Sequence, residues 1–544
     1  MKSKAVVLAI VGVLGVAAVG VAGVLGYQMF FGASEDRVVG LVPQDAAVYG
    51  HIFLDPSMNQ KQAIEDILEA FPEAPSFDEA RNELVEALDE GLGEVDMNFE
   101  DDVEPWLGDQ VGGFSLFPED LASGGASDSA THTAAEPPPA ALLIASDDDD
   151  AAQTFIDQAS AQSDENLSDE SHAGVDYKLN SEEGSAAGVV DGFVVIGSEA
   201  GLKAVVDVSE GESNLADDED FSETTDDLTD DRLATFYFDG RKLTEALEAG
   251  SGMPGGPEAG LLGGAGGLGL NIEAPVAAAL FVDSDKVVLE STSTLNEETK
   301  DLASSFGGGL VGAVPADSWG ALGLSDLGGI IEGIYDTFAE GFAAGGGTNE
   351  LDAQFEAQTG LNLREDLLSW MGDAGLFVSG TDPNSISGGL LVESTDPAKS
   401  SETLATLEGL LQQQGLSTEP FSAPNAEGFK LEFPGSPQPV VVLGGERVVI
   451  SFGEQAALDA LEGGQALSGT ETFQTAATGL GEGFTPAGYF DLNVIQTFAE
   501  NTGASEEPSY EGEIKPWIDP LSYLAFGSRI DGDRLVQRMV IGIE

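Results

Sequence analysis

The hydrophobic and polar positions of this chain alternate between short apolar runs and longer stretches with helical spacing. Ala140–Ala145 is a continuous apolar run that leads into a helical pattern near Ala151–Ala159. Gly389–Glu393 leads in the same way into a helical pattern over Lys399–Gln412. Short apolar runs bounded by turn residues are typical of strands, and spacing of three to four residues is typical of helices. The pattern therefore predicts strands that alternate with helices.

Several neighbouring apolar runs are joined by tight turns. Asp191–Gly192 lies between the runs Gly188–Val190 and Phe193–Ile196. A two-residue hairpin turn needs positive φ at both central positions, which Asp and Gly adopt readily. Such hairpins make a sheet largely antiparallel, so we predict the α+β class, with helices on one face of a mixed or antiparallel sheet.

The same series of segments occurs twice along the chain. Five segments match in one order: Leu41–Ala46 with Ala313–Ser318, Glu100–Asp109 with Arg364–Asp373, Phe193–Gly197 with Val449–Gly453, Tyr237–Asp239 with Tyr489–Asp491, and Asp283–Lys286 with Asp531–Arg534. The spacing between matched segments shrinks steadily, as expected when loops shorten in the second copy. The sequence therefore predicts two tandem copies of one sheet-and-helix unit, 41–295 and 313–544, joined by a connector over 296–312.

The chain opens with an uncharged segment. Ala5–Phe31 contains no charged residue, and it exceeds the roughly 20 residues that a bilayer-spanning helix needs. Lys2 and Lys4 precede the segment, and the acidic pair Glu35–Asp36 follows it. Positively charged flanks stay on the cytoplasmic side. The segment therefore predicts a single membrane-spanning helix with the body of the protein outside the cytoplasm.

This interpretation gives a cytoplasmic tail at 1–4, a transmembrane helix at 5–31 and a linker at 32–40. The alternative is a secretory signal peptide that is cleaved near the small residues Gly32–Ser34. Signal peptides usually have an apolar core of about 7 to 15 residues, which is shorter than this segment. We therefore expect a signal anchor that holds the protein in the cell membrane.

Charge and composition narrow the possible functions. The formal net charge is −77, from 97 acidic and 20 basic residues, and the body contains no basic run. Nucleic acid is excluded as a partner, because phosphate binding needs clustered Lys and Arg. Mutual repulsion of so many carboxylates predicts a salt-adapted protein with cations loosely held at its surface; an ordinary acidic extracytoplasmic protein is the alternative. The absence of cysteine excludes disulfides, thiolate catalysis and iron–sulfur clusters.

No pattern typical of an active site emerges from the sequence. The histidines are His51, early in a predicted strand, and His132 and His172, in a polar loop and an acidic connection. We interpret His51 as a structural residue of the core rather than a general base. Phosphate loops and nucleophile elbows are absent from the sequence. We therefore predict a protein that is not an enzyme and uses no cofactor.

Clustered aspartates are the remaining chemical candidates. Carboxylate oxygens suit Ca²⁺ or Mg²⁺, although these runs lack the spacing of an EF-hand loop. The alternative is a solvated acidic surface, with the first run at a helix N-terminus whose dipole favours negative charge. The candidate metal ligands are Asp147, Asp148, Asp149, Asp150, Asp217, Asp218 and Asp220.

An apolar N-terminal span followed by Leu41-Val-Pro43-Gln-Asp45 and the segments Trp106-Leu-Gly108 and Trp370-Met-Gly372 resembles a bacterial membrane-anchored family. The family is known as domain of unknown function thirty-three fifty-two. The resemblance covers nearly the whole body, and it implies membrane anchorage and a bacterial source. It implies no activity and no catalytic residue.

Two functions agree with these features. We expect a non-catalytic scaffold or interaction module outside the cytoplasm, with a protein of the cell envelope as a possible partner. The alternative is a binder or carrier of an apolar ligand, in a groove between the two copies. Such a groove would be lined by the glycine-rich and leucine-rich segment Gly250–Gly269 and the apolar segment Gly323–Phe342.

Overall fold

A computed structural model describes residues 35–71, 85–86, 88–89, 92, 97–116, 139–162, 167–242, 274–295, 300, 307–342, 348–433, 436–461, 465–507 and 509–544. The chain divides into two compact units, Met1–Thr294 and Leu295–Glu544, here called unit 1 and unit 2. The predicted transmembrane helix at 5–31 and the segment Gly250–Gly269 lie outside the described residues. Over the residues that are described, no helix has the length and apolar character needed to cross a membrane.

Unit 1 contains strands and helices in alternation. Its strands are β1 (Val48–Phe53), β2 (Leu107–Ser115), β3 (Ala140–Ser146), β4 (Leu167–His172), β5 (Val175–Asn180), β6 (Ser185–Val190), β7 (Phe193–Ser198), β8 (Ala234–Asp239), β9 (Pro275–Asp283) and β10 (Lys286–Thr294). Its helices are α1 (Met58–Ala70), α2 (Asp149–Gln162), α3 (Glu199–Ser209) and α4 (Glu219–Thr225), with short turns at Val39–Leu41, Phe99–Val103 and Leu215–Asp217.

Unit 2 repeats this alternation. Its strands are β11 (Ser318–Leu324), β12 (Met371–Ser379), β13 (Ser387–Ser394), β14 (Thr418–Ala423), β15 (Ala426–Leu431), β16 (Val440–Gly444), β17 (Arg447–Phe452), β18 (Thr485–Asp491), β19 (Leu521–Asp531) and β20 (Arg534–Ile543). Its helices are α5 (Leu327–Phe342), α6 (Thr348–Thr359), α7 (Pro397–Gln413), α8 (Glu454–Leu461), α9 (Glu471–Gly479), α10 (Leu492–Asn501) and α11 (Lys515–Ile518), with short turns at Val311–Ala313, Leu363–Leu368, Leu467–Gly469, Ala504–Glu506 and Tyr510–Ile514.

The strands of the two units pair in the same order. In unit 1 the order is β4-β5-β6-β7-β3-β2-β1-β8-β9-β10, and these pairs are antiparallel. In unit 2 the order is β14-β15-β16-β17-β13-β12-β11-β18-β19-β20, again antiparallel. Each strand of unit 1 therefore has a counterpart in unit 2, and the predicted α+β class is confirmed.

The tight turn predicted at Asp191–Gly192 is confirmed. The two residues have φ values of 45° and 79°, and they join β6 to β7. Positive φ at both positions gives a turn whose twist matches that of the flanking strands. The hairpin fixes the register of β7 against β6.

Helices cover both faces of the sheet in unit 1. Leu143 and Val195 pack in one core cluster with Leu202 of α3, whereas their neighbours in sequence, Ile144 and Val194, pack in another with α2. Successive residues of a strand point to opposite faces. The prediction of helices on one face alone was therefore wrong. The reason is visible in the sequence, because β3 and β7 are continuous apolar runs, which are typical of strands buried on both faces.

A short capped turn before β2 holds a buried tryptophan. The Asn98 side chain accepts a hydrogen bond from the backbone of Asp101, and the Asp102 carboxylate accepts one from the backbone N–H of Asn98 at 2.9 Å. The Trp106 Nε1–H donates to the backbone oxygen of Asp102 at 2.8 Å. The turn thereby supports a tryptophan that is almost completely buried.

The same turn precedes β12 in unit 2. The Asp366 carboxylate accepts from the backbone N–H of Asn362 at 2.8 Å, and the Trp370 Nε1–H donates to the backbone oxygen of Asp366 at 3.2 Å. Trp370 is also buried. Two units with one strand order therefore also share a detailed local motif.

Candidate functional site at the start of unit 1

The aspartate run predicted as a metal site lies at the start of α2. The Asp148 carboxylate accepts a hydrogen bond from the backbone N–H of Ala151 at 3.0 Å, which caps the helix. The backbone N–H of Asp147 donates to the oxygen of Trp106 at 2.8 Å. Partial burial raises the pKa of Asp147, and the nearby charge of Asp109 raises it further. Asp149 and Asp150 form the exposed first turn of the helix.

The second group of candidates has a similar position around α4. The Asp218 carboxylate accepts from the backbone N–H of Phe221 at 3.0 Å and caps α4. The backbone N–H of Asp217 donates to the side chain of Asn214, and Asp220 forms an ion pair with Arg241. Where the chain is described, no group of three or more His, Asp or Glu side chains is arranged to hold a metal ion.

A buried polar cluster lies instead where the chain enters unit 1. The Tyr49 hydroxyl donates to the Asp36 carboxylate at 2.7 Å, and the His51 Nε2 lies 3.7 Å from the other oxygen of Asp36. Tyr49 and His51 are alternate residues of β1, so their side chains share one face of the sheet. The His51 side chain is 0% exposed. Its ring lies edge to face with the ring of Phe53, with 4.4 Å between the ring centres.

The side chain of Gln110 in β2 holds the adjacent backbone. Its Nε2 donates to the oxygen of Glu35 at 2.8 Å, and its Oε1 accepts from the N–H of Arg37 at 3.0 Å. These are the two bonds that a neighbouring strand would make. The Arg37 guanidinium also donates to the Asp109 carboxylate at 2.9 Å. We call residues 35–37, with Tyr49, His51, Asp109 and Gln110, the clasp.

Burial controls the protonation of the cluster. It lowers the pKa of His51, against the opposing effect of the Asp36 charge; more distant Arg232 lowers this pKa and Asp109 raises it. Burial also raises the pKa of Tyr49 well above its ordinary range, and Asp36 raises it further. At neutral pH the imidazole and the phenol beside Asp36 are therefore both neutral.

Unit 2 has no such cluster at the corresponding place. Strand register and chain spacing give the counterparts of Asp36, Tyr49 and His51 as Gly308, Ala321 and Gly323. A Cβ atom on Gly323 would lie 1.8 Å from the backbone oxygen of Gly308. Backbone therefore fills in unit 2 the space that polar side chains fill in unit 1.

The geometry of the clasp favours a structural role over proton transfer. His51 has no exposed surface, so a substrate has no route to its ring in this arrangement. This agrees with the interpretation of His51 as a core residue. The roles of Asp36, Tyr49 and Gln110 were missed from the sequence. The available signal was the contrast between the strands that follow the two matched segments, because Tyr49 and His51 correspond at the same spacing to the small residues Ala321 and Gly323.

The chain is similar to two solved structures of one protein. Crystal form IV of TP0453 gives a TM-score of 0.24 at 13% identity, with 47% of this chain and 80% of that chain covered. Crystal form III of TP0453 gives 0.24 at 13% identity, with 50% and 87% covered. No curated protein matches the sequence.

The family comparison covers almost the entire chain. Residues 5–537 match the family described as "Protein of unknown function (DUF3352)". The matched region includes nearly all of both units, the clasp and the apolar segment 5–31. The chain therefore belongs to the DUF3352 family of proteins of unknown function.

Proposed function

We propose that this protein is a single-pass membrane protein whose two units lie outside the cytoplasm and act as a non-catalytic scaffold or interaction module. The uncharged segment Ala5–Phe31, preceded by Lys2 and Lys4, is the observation that carries this proposal. The family match begins at residue 5, so the segment belongs to the shared architecture of the family.

The contacts of the described titratable groups support a non-catalytic role. Asp148 and Asp218 cap helices, and Asp102 and Asp366 hold the turns that carry the buried tryptophans. His51 is enclosed in the clasp. With a net charge of −77, the surface favours partners of the cell envelope that carry positive charge, and loosely bound cations.

Protease protection tests the topology. Protease added to intact spheroplasts should digest both units and leave a fragment containing the span, because the lysines hold the N-terminus inside. A variant with Lys2→Glu and Lys4→Glu is the control, since it removes the orienting charge without altering residues 35–544. Units that stay protected until the cells are lysed would contradict the proposed orientation.

An apolar ligand is the second candidate, and one surface of unit 2 favours it. Leu376 and Ile450 are 41% and 43% exposed, and they lie on one cross-strand row with Leu390 between them. In unit 1 the counterpart of Ile450 is Ile196, which is only 6% exposed. The groove between the two copies stays a prediction from the sequence.

Fluorescent fatty acid binding tests the second candidate. Leu376→Asp with Ile450→Asp should lower the affinity at least about tenfold if this row holds the ligand, because charge opposes apolar burial. Leu416→Asp is the matched control, since Leu416 is 37% exposed and lies between α7 and β14, outside the row of Leu376, Leu390 and Ile450. Equal binding by the three proteins would exclude this surface.

A further inference from the structure

We propose that the clasp side of unit 1 lies against the lipid headgroups of the membrane in which the chain is anchored. The inference rests on the proposed membrane anchor and deepens it, because it states which surface of unit 1 meets the lipid. Three observations carry it: the short tether before the clasp, the hydrogen bonds that keep the tether short, and the absence of the clasp cluster from unit 2.

The tether is short compared with the unit. The apolar segment ends at Phe31 and the clasp begins at Glu35, so residues 32–34 separate them. A fully extended chain spans at most about 3.6 Å per residue, which limits the separation of Phe31 and Glu35 to roughly 15 Å. A compact unit of roughly 250 residues has a radius of gyration of about 18 Å. Only the side that carries the clasp can therefore stay next to the bilayer.

The clasp prevents the tether from lengthening. If residues 35–37 detached, the next fixed point would be Val38, whose side chain is 0% exposed in the core of unit 1, and the tether would gain about 10 Å of reach. Gln110 opposes this with two hydrogen bonds to the backbone, Tyr49 holds Asp36, and Asp109 pairs with Arg37. The side chains of Gln110, Tyr49 and Asp109 therefore hold residues 35–37, the segment that directly follows the tether.

Arg37 is the group next to the clasp that suits a headgroup layer, whereas the exposed residues Asp147 and Asp191 on the same side are acidic. The Arg37 guanidinium lies 5.4 Å from the ring centre of Phe193, directly after the turn Asp191–Gly192. About half of the Arg37 side chain is exposed, so its remaining N–H groups can donate to a lipid phosphate. In unit 2 the residue at the place of Arg37 is Gly309, which offers no such group.

Single fluorescent probes test the proposal, because the natural chain contains no cysteine. Asp191→Cys places a probe beside the clasp, and Glu183→Cys places one in the exposed turn at the other end of β6. Six strand residues separate the two turns, a distance of about 20 Å. The full-length protein is placed in vesicles of equal parts phosphatidylcholine and phosphatidylglycerol that carry a headgroup quencher.

The expected result is at least about twofold stronger quenching at Asp191→Cys than at Glu183→Cys. Asp191 has positive φ, so its substitution can strain the turn. A second probe at the exposed residue Asp147, whose backbone bonds to Trp106, gives the same test without that strain. Insertion of about 20 Gly and Ser residues between Ser34 and Glu35 should abolish the difference while vesicle binding persists.

The outcomes separate this inference from the proposed function. Failure of the full-length protein to float with the vesicles would refute the membrane anchor itself. Flotation with equal quenching at the two probes would leave the anchor intact and overturn the placement of the clasp side. A quenching difference that survives the inserted linker would also overturn it, because the short tether would then not be its cause.

Discussion

Unit 1 and unit 2 have the same strand order but differ where the chain enters the sheet. Both bury a T-shaped aromatic pair. The ring centres of Phe221 and Tyr237 are 5.1 Å apart, and those of Phe473 and Tyr489 are 5.4 Å apart. Both also carry the capped turn and its buried tryptophan. The first strand of unit 1, however, is locked to the preceding segment by polar side chains, and that of unit 2 by close contact of glycine backbone.

This difference distinguishes residues that both units need for folding from residues that serve unit 1 alone. The aromatic pairs and tryptophans recur because they form the core that each sheet needs to fold. The clasp does not recur, so folding alone does not require it. Its residues lie next to the segment that joins unit 1 to the proposed anchor. Unit 2 is not joined to the anchor directly, so it does not need such a connection.

Removal of either buried tryptophan should give the largest effect on stability. Trp106→Ala and Trp370→Ala should each lower the free energy of unfolding of the affected unit by about 3–5 kcal/mol, because each leaves a cavity. Trp106→Ala also removes the hydrogen bond to the backbone oxygen of Asp102, whereas the oxygen of Asp366 keeps the bond from Thr403 Oγ1 at 2.6 Å. Urea unfolding followed by circular dichroism measures both losses. Phe at either position is the control, since it keeps most of the volume. A loss of unfolding free energy below about 1 kcal/mol in one unit would show that the two tryptophans do not have equivalent roles.

A methyl group at the start of unit 2 should give the next largest effect. Gly323→Ala should cost at least about 2 kcal/mol, because its Cβ would overlap the backbone oxygen of Gly308. Gly333→Ala is the matched control: it lies in α5 with open space around its Cβ position, so it should stabilise the helix by up to about 1 kcal/mol. Chemical unfolding measures both. Equal stability of the two variants would show that unit 2 can accept side chains there.

Salt should stabilise both units to a smaller extent. Between about 0.1 M and 2 M sodium chloride, the melting temperature should rise by on the order of 5 °C, because screening weakens the repulsion among the carboxylates. Calorimetry of residues 33–544 measures the shift, and sucrose at equal osmolality is the control. A transition that does not move would show that the acidic charge of that part of the protein is already dispersed, and salt adaptation would be excluded for it.

Acid should weaken unit 1 through His51, with the smallest effect of the four. Its pKa lies below the ordinary value of 6.5, so the unfolded chain binds the proton first. The stability that neutral His51 contributes is complete above about pH 6.5 and is lost as the pH falls through the folded-state pKa, by at most about 1.4 kcal/mol per pH unit.

The comparison of His51→Gln with the natural protein isolates this contribution. Urea unfolding between about pH 7.5 and 5 should show a shallower loss of stability in the variant, while the carboxylates contribute equally to both. Unit 2 has Gly323 at the equivalent position, so the difference should be confined to unit 1. Parallel pH profiles for the two proteins would remove His51 as an acid-sensitive group.

The sequence predicted the local features well, because they depend on neighbouring residues. The helix expected near Ala151–Ala159 extends over Asp149–Gln162, and the turn at Asp191–Gly192 has the predicted φ values. One strand match was displaced by two residues: strand register makes Ser451, rather than Gly453, the counterpart of Gly197. The sequence match followed the glycine before the next helix, whereas pairing follows the backbone hydrogen bonds.

The candidate site was harder to predict because its residues are distant in sequence. Asp36 and Gln110 have no local pattern that distinguishes them from the many other polar residues of this chain. They meet only because β2 pairs with β1 and places Gln110 beside the incoming segment. Such a contact depends on the strand order of the whole unit, which periodicity does not specify.

The strand orders also determine which strands lie at the edges of the sheet, where one molecule could pair with another. In the described part of the chain, β4 and β14 each have a neighbour on one side only, so each leaves backbone groups open to another sheet. Exposed Asp169 and Glu170 occupy β4, and Pro420 in β14 offers no N–H. Charge and proline at open edges discourage aggregation. Molecules at high local concentration can therefore collide often without forming mixed sheets.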